Sequence, residues 1–345
     1  MRILFVKLGS IGDIVHTLPA LAALRRAMPA AEISWVVEHR SAEILEDNPN
    51  IDRLIEVDTK ALRRGLMSGE TLRAPRQQLR RLRASAFDVA IDFQGLLKSA
   101  SIARLSGARR IFGYSREGLR EPPSRLLLSK TIYVPKKIHV IEKALTLLHG
   151  ALRVSVPSNS SEYEFPIAAN REHEAEAEAA SKNEKFIILN PGGGWSTKLW
   201  SADRFGQLAD RVWEQHGLRS LVTHGPAEDE LAQAVSGSSR TGTARPVNLS
   251  LKGFFALARR AELYVGGDTG PTHIAMAAGA PVVGLFGPTE WWRNGSPRPN
   301  DICVDRNDIN CRVDCHRRAC SNWICLDISV ERVFEAVSNR LGYKI

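Results

Sequence analysis

The apolar positions of this chain fall into short runs that alternate with longer stretches of helical spacing. In the first half, runs rich in β-branched and aromatic residues predict strands over Ile3–Lys7, Ile33–Val37, Arg53–Val57, Val89–Asp92 and Arg110–Gly113. Between and after them the spacing predicts helices over Asp13–Met28, Ala42–Asn48, Leu72–Ser85, Leu96–Leu105 and His139–Leu152. The polar, turn-rich stretch Val156–Tyr163 reads as a linker, and the acidic stretch Arg171–Glu184 as an exposed helix. The alternation then restarts, with strands at Phe186–Asn190, Leu218–Thr223, Val247–Leu249, Leu263–Val265 and Pro281–Phe286. Helices are predicted at Ala202–His216, Glu228–Ser236, Leu251–Ala261, Thr272–Ala278 and Val330–Leu341. Alternating strands and helices imply parallel, doubly wound α/β sheets. Two such domains facing a central cleft are expected: residues 1–160, residues 161–327, and a closing helix within 328–345.

Composition adds little to the fold but something about partners. At 345 residues, 43% hydrophobic and 25% charged, the chain has the make-up of a soluble globular protein. Its apolar runs are strand-sized or broken by charge, so no transmembrane helix is expected. Met1-Arg2 leads straight into the first strand, which leaves no room for a signal peptide and points to the cytoplasm. The net charge of +9 is unevenly placed. Residues 1–160 carry 26 Lys and Arg against 15 Asp and Glu, whereas residues 161–345 carry 21 against 23. The basic residues are densest in Lys60–Arg64 and Arg73–Arg83. Such asymmetry suits a polyanionic partner: a phosphorylated substrate, an anionic membrane face or a nucleic acid. No helix-turn-helix, zinc-finger or RNP-type signature accompanies it.

The candidate chemistry sits in loops that follow strands. Gly266-Gly267-Asp268-Thr269-Gly270-Pro271, ahead of a helix carrying His273, gathers backbone N–H groups, a carboxylate, a hydroxyl and an imidazole. A helix start of this kind favours a bound phosphate, although Asp268 and Thr269 also suit simple capping. The loop Pro191-Gly192-Gly193-Gly194-Trp195-Ser196-Thr197-Lys198 lets backbone approach a ligand closely, and Lys198 supplies a cation suited to a diphosphate. Glu228, after another strand, suits either ribose hydroxyls or a helix start. In the first half, Lys7-Leu-Gly9-Ser10-Ile11-Gly12-Asp13 lacks both G-x-G-x-x-G and G-K-[ST]. Asp13 there is either an N-terminal cap or a general base. Asp92-Phe-Gln94-Gly95-Leu-Leu-Lys98-Ser99 closes a strand in the same way, and Arg120-Glu121 and His139 lie in later loops. Cys311, Cys315, Cys320 and Cys325, with Cys303 upstream, lack the C-x2-C pairing of common zinc sites. They read as reduced, partly buried thiols first, a structural metal cluster second and redox pairs last.

Together, Gly9-Ser10-Ile11-Gly12-Asp13, Asp92-Phe-Gln94-Gly95-Leu-Leu-Lys98-Ser99, Arg120-Glu121, His139-Val-Ile-Glu142 and Asp268-Thr269-Gly270-Pro-Thr-His273 resemble glycosyltransferase family 9. The first-half motifs lie nearer its heptosyltransferase I branch than its heptosyltransferase II branch. The resemblance implies a GT-B architecture, with two Rossmann-like domains, acceptor on the first and sugar nucleotide on the second. It implies an inverting, metal-independent transfer of L-glycero-D-manno-heptose from an ADP-sugar to Kdo of the lipid A inner core, with no cofactor. Another sugar or acceptor of the same family is the nearest alternative. By position, Asp13 would be the general base and Lys198 would neutralise the departing diphosphate. Gly193, Gly194, Glu228, Leu249, Asp268, Thr269, Gly270 and His273 would bind the donor. Lys7, Ser10, Gln94, Lys98, Arg120 and His139 would face the acceptor, beside the anionic inner membrane leaflet. Gly193 and Gly194 stand where the family carries a Thr-containing segment, so their donor contacts would be made by backbone. On this reading no nucleic acid is bound, and the enzyme works at the cytoplasmic face of the inner membrane.

Overall fold

Two runs of short strands, each strand followed by a return segment, fold into two parallel sheets in a computed structural model that describes residues 1–59, 80, 82–313 and 315–343. The first sheet contains β1 (Arg2–Val6), β2 (Glu32–Glu38), β3 (Arg53–Val57), β4 (Val89–Asp92), β5 (Arg110–Tyr114) and β6 (Lys130–Ile132) in the order β3-β2-β1-β4-β5-β6. The second contains β7 (Phe186–Asn190), β8 (Arg219–His224), β9 (Ala244–Asn248), β10 (Leu263–Gly267), β11 (Val282–Phe286) and β12 (Ile302–Asp305) in the order β12-β11-β10-β7-β8-β9. The chain divides into two compact units, Met1–Ala168 and Ala169–Ile345, so the Val156–Tyr163 stretch belongs to the first of them. This is the α/β, GT-B-type pair of Rossmann-like domains implied by the motifs.

Each sheet reverses its winding once. In the first, β1 lies between β2 and β4, with Val6 level with Asp92. In the second, β7 lies between β8 and β10, with Asn190 level with Gly266. At such a reversal the helices on either side diverge and leave a crevice at the carboxyl ends of the strands. The loops after β1 and β4, and those after β7 and β10, therefore flank the two crevices.

Apolar faces close both units. In the second, Phe205, Leu208 and Val212 of the helix Ala202–His216 and Val333, Phe334 and Val337 of Val330–Leu341 pack on Ile187, Leu189, Val265 and Val283. The last helix is thus part of that unit's core. In the first unit, Leu4, Val6, Val36, Ala90 and Ile111 pack with Phe87 and Leu82. No described helix is long and apolar enough to cross a membrane.

Three local expectations are corrected. The stretch 13–28 forms two helices, Ile11–Val15 and Leu18–Ala27, because in one continuous helix the Pro19 ring would strike the Val15 carbonyl. The stretch 42–48 forms only single turns, His39–Ser41 and Glu43–Leu45. There Asp47 turns left-handed (φ 55°) and Asn48 precedes a proline. The strand expected at Val247–Leu249 is displaced to Ala244–Asn248. The three-residue β6, the edge strand β12 and the short helix Trp291–Asn294 carry too few periodic positions to be read beforehand. The basic runs Lys60–Arg64 and Arg73–Arg83, and most of the helix expected over 72–85, lie outside the described residues.

Gly95, just past β4, has φ +71°, and its carbonyl accepts the N–H groups of Arg120 and Glu121, both at 3.1 Å. A Cβ there would meet only ordinary contacts, so the cost of a side chain lies in the left-handed backbone. Gly95→Ala should therefore lower unfolding free energy by about 1 kcal/mol or more, read as a shift of the denaturation midpoint at unchanged m-value. An unchanged midpoint would show that the turn tolerates a side chain.

Candidate active site

In the first unit the loop after β1 carries Lys7 into the sheet edge. Its ammonium donates to the Phe93 carbonyl at 3.1 Å and lies 3.6 Å from Asp13 Oδ1. Burial pushes the Lys7 pKa below the usual lysine value, opposed by the charge of Asp13. Arg120 approaches the same Oδ1 at 3.8 Å, while Oδ2 accepts the Ser10 N–H at 3.2 Å. Asp13 is thus a helix cap through one oxygen and an ion-paired carboxylate through the other, with 21% of its side chain exposed. Capping and chemistry do not exclude each other here.

The neighbouring loop after β4 is built around Asp92, which is fully buried. Burial pushes its carboxyl up to about 6, against hydrogen bonds from the Gln94 N–H, the Ser99 hydroxyl and the Gly95 N–H that favour the charged form. This ring of donors sets Gln94, whose Oε1 accepts the Leu8 N–H at 3.2 Å. Glu121 in turn accepts the Leu97 N–H at 2.6 Å, which holds the Arg120-Glu121 pair against the helix Leu97–Leu105. Lys7, Gln94, Arg120 and Asp13 are therefore joined in one network. Lys98 pairs instead with Glu38 at 3.2 Å, a partner that no local pattern announced. His139 caps the helix Val140–Leu152 through Nδ1 and packs edge-on against His16, ring centroids 5.8 Å apart.

The second unit assembles its site around Asp268, at the end of β10. Lys198 donates to Asp268 Oδ2 at 2.6 Å and to its backbone carbonyl at 2.9 Å. His273 Nε2 lies 3.3 Å from Oδ1, and the Asn294 amide donates to the same oxygen. Burial alone would raise the Asp268 pKa; the His273 hydrogen bond and the charges of Lys198 and His273 overcome it and hold the carboxyl far below the carboxylate range. Asp268 is therefore occupied by protein groups and orients them. Asn294 follows no periodic pattern and lies in a four-residue helix, so the sequence carried no signal for it.

Glu228, expected at ribose hydroxyls or a helix start, caps the helix Asp229–Ser238 by position. Its carboxylate accepts the Gly193 N–H at 3.2 Å and the Gly225 N–H at 2.8 Å. A Cβ on Gly192 would displace that carboxylate, so the bare backbone lets Glu228 reach the two amides as it does. At Gly194 a side chain would meet nothing within 4 Å. Thr269 and Gly270 begin the helix Gly270–Ala277, with Pro271 in its first turn, so their amides stand at its positive end. Leu249 follows β9, half-buried, on the same carboxyl edge of the sheet.

The five cysteines are free thiols: Cys311 and Cys320 exposed, Cys303 and Cys315 half-buried, Cys325 buried. Burial pushes the Cys325 thiol up, and Cys315, Cys311 and Cys320 lie near enough to push the same way. Among the described residues no three His, Cys, Asp or Glu side chains are placed to hold a metal ion.

Comparison with known proteins bears on the family and the fold. The family model for glycosyltransferase family 9 (heptosyltransferase) matches residues 76–323. Lipopolysaccharide heptosyltransferase 1 of Pseudomonas aeruginosa is 32% identical over 323 residues, covering 93% of this chain and 88% of that one. The structure of Escherichia coli heptosyltransferase WaaC with ADP superposes with a TM-score of 0.79 at 25% identity, covering 99% and 100% of the two chains. A family 9 glycosyl transferase from Veillonella parvula gives a TM-score of 0.81 at 24% identity, covering 99% of this chain and 97% of its own.

The Asp268 carboxyl has a folded pKa below its unfolded value of about 3.9. Its contribution to stability is therefore complete above about pH 4 and is lost as pH falls toward the folded value. Denaturant titrations from about pH 6 down to about pH 3 should show a steeper loss for the wild type than for Asp268→Asn. Parallel pH profiles would remove the carboxylate from this role.

Proposed function

The chain belongs to glycosyltransferase family 9, and from that membership we propose that it moves L-glycero-D-manno-heptose from ADP-heptose to Kdo of the lipid A inner core. The observation that carries the reading is the pairing of Lys198 with Asp268 at the start of the helix Gly270–Ala277. An ammonium has three donors; among the described residues two go to Asp268 by hydrogen bond, which leaves the third for a phosphate oxygen. With the helix start beside it, this is a cation and a dipole aimed at the charge that grows on a departing diphosphate. The ADP held by the Escherichia coli relative supports the same nucleotide here.

In the proposed step Asp13 takes the proton of the acceptor hydroxyl as its oxygen attacks the anomeric carbon. The bond from that carbon to the diphosphate breaks, and ADP leaves with its charge met by Lys198 and the amides of Thr269 and Gly270. A single base opposite the leaving group, without a second nucleophilic carboxylate, gives inversion, by the logic of inverting glycosidases. Lys198 does the work that a metal ion performs in other transferases. Lys7 and Arg120 keep Asp13 placed, and with Ser10, Gln94, Lys98 and His139 they face an acceptor rich in carboxylates and phosphates.

The basic first half, which by itself also suits a nucleic-acid partner, is read here as attraction for that acceptor and for the anionic inner leaflet, at the cytoplasmic face. Gly193 and Gly194, bare of hydroxyls, keep open a family 9 transfer of a different sugar.

Incubation with ADP-heptose and Kdo-lipid A, with the product weighed by mass spectrometry, tests the reading. A mass gain of one heptose is the expected result; no gain sinks the assignment. Asp13→Ala should lower turnover by at least about a hundredfold while ADP-sugar binding persists. Loss of donor binding in that variant would count against Asp13 as the base. Lys198→Ala should weaken ADP binding and turnover together, and unchanged kinetics would take Lys198 out of the site.

A further inference from the structure

The segment from Cys311 to Cys325 has no part in the chemistry proposed above, yet it lies on the loop that carries Lys198. The Thr197 hydroxyl donates to the Arg317 carbonyl at 2.7 Å, and the Ser196 hydroxyl to the Arg318 carbonyl at 3.3 Å. In return the Trp323 indole N–H donates to the Thr197 carbonyl at 3.2 Å. Farther back, the His316 N–H donates to the Pro288 carbonyl at 2.9 Å. Arg312, buried, reaches the carbonyls of Gly287 and Thr289 and the carboxylates of Asp305 (3.2 Å) and Glu290 (3.5 Å). The described residues of this segment, 311–313 and 315–325, thus form a strap, fastened to the loop after β11 and laid across the loop after β7.

Trp195 is the ring at which a cation of the strap and a cation of the loop meet. The Lys198 ammonium lies 4.3 Å from the centroid of its ring, and the Arg318 guanidinium 5.3 Å from the same centroid. An indole attracts a cation, but two cations on one ring repel each other, and the arrangement becomes favourable when an anion joins them. Lys198 has Asp268 as its counter-charge. Arg318 is exposed, and no carboxylate among the described residues pairs with it. A planar guanidinium with unused donors matches two phosphate oxygens at once, which an ammonium cannot do.

We propose that Arg318 is a second diphosphate-binding cation of the donor site, delivered by the strap and oriented by Trp195. The inference rests on the reading of this site as a sugar-nucleotide site. The strap thereby holds Trp195 and Lys198 in place while adding a charge that the loop itself lacks.

Calorimetric titration of the full-length chain with ADP and with AMP tests this, because AMP keeps the adenosine and lacks the second phosphate. Arg318→Ala should weaken ADP binding about tenfold, the size of one charge-assisted contact, and change AMP binding by less than about twofold. Its thermal midpoint should match the wild type, since the side chain is exposed. Arg318→Lys should recover part of the loss. Wild-type ADP affinity in Arg318→Ala overturns the proposal, and so does an equal loss for ADP and AMP, which would make the strap purely structural. Failure of the wild-type chain to bind either nucleotide would instead bring down the donor-site reading, and this inference with it.

Discussion

A buried carboxylate that cannot exist alone organises the second unit. Removing the Asp268 charge from water costs several kcal/mol, which is recovered only if oriented donors surround it. Lys198, His273 and Asn294 are those donors, and each comes from a different segment: the loop after β7, the helix after β10 and the short helix after β11. One charge requirement therefore fixes three segments against one another. The carboxylate that the motif marks as a candidate ligand is itself held by three protein side chains.

The first unit repeats the device with its own residues. Asp92, buried and ringed by the Gln94 and Gly95 amides and the Ser99 hydroxyl, shapes the loop that receives Arg120 and Glu121. Asp13 stands in the adjacent loop between Lys7 and Arg120. Both loop clusters lie where their own sheet's order reverses, so each sheet places charged loops at its own crevice above apolar strands. Ion pairs that would contribute little on an open surface gain from this partial exclusion of water.

Glycine serves the same end by letting backbone come close. Gly192 leaves room for the Glu228 carboxylate, which ties the Gly193 and Gly225 amides together and so couples the loops after β7 and β8. The strap from Cys311 to Cys325 adds a further layer over the first of these loops, through contacts made chiefly by carbonyls and hydroxyls.

The alternation of apolar runs and helical spacing by itself determined the doubly wound class, most strands and the long helices, because burial of a strand or a helix face writes a local period into the chain. Asp13, Lys198 and Asp268 stood out as candidates for a related reason: they lie in glycine-containing loops that directly follow strands. Tertiary structure alone decided what those residues touch. Asn294 on Asp268, Glu38 on Lys98, and Arg318 with Lys198 on one indole are pairings between segments far apart in sequence. The short strands β6 and β12 were likewise decided in three dimensions, since they exist because a sheet edge accepts them. A local pattern records which side of an element is dry; it holds no record of which distant charge will be met there, since that depends on how each sheet gathers its own loops.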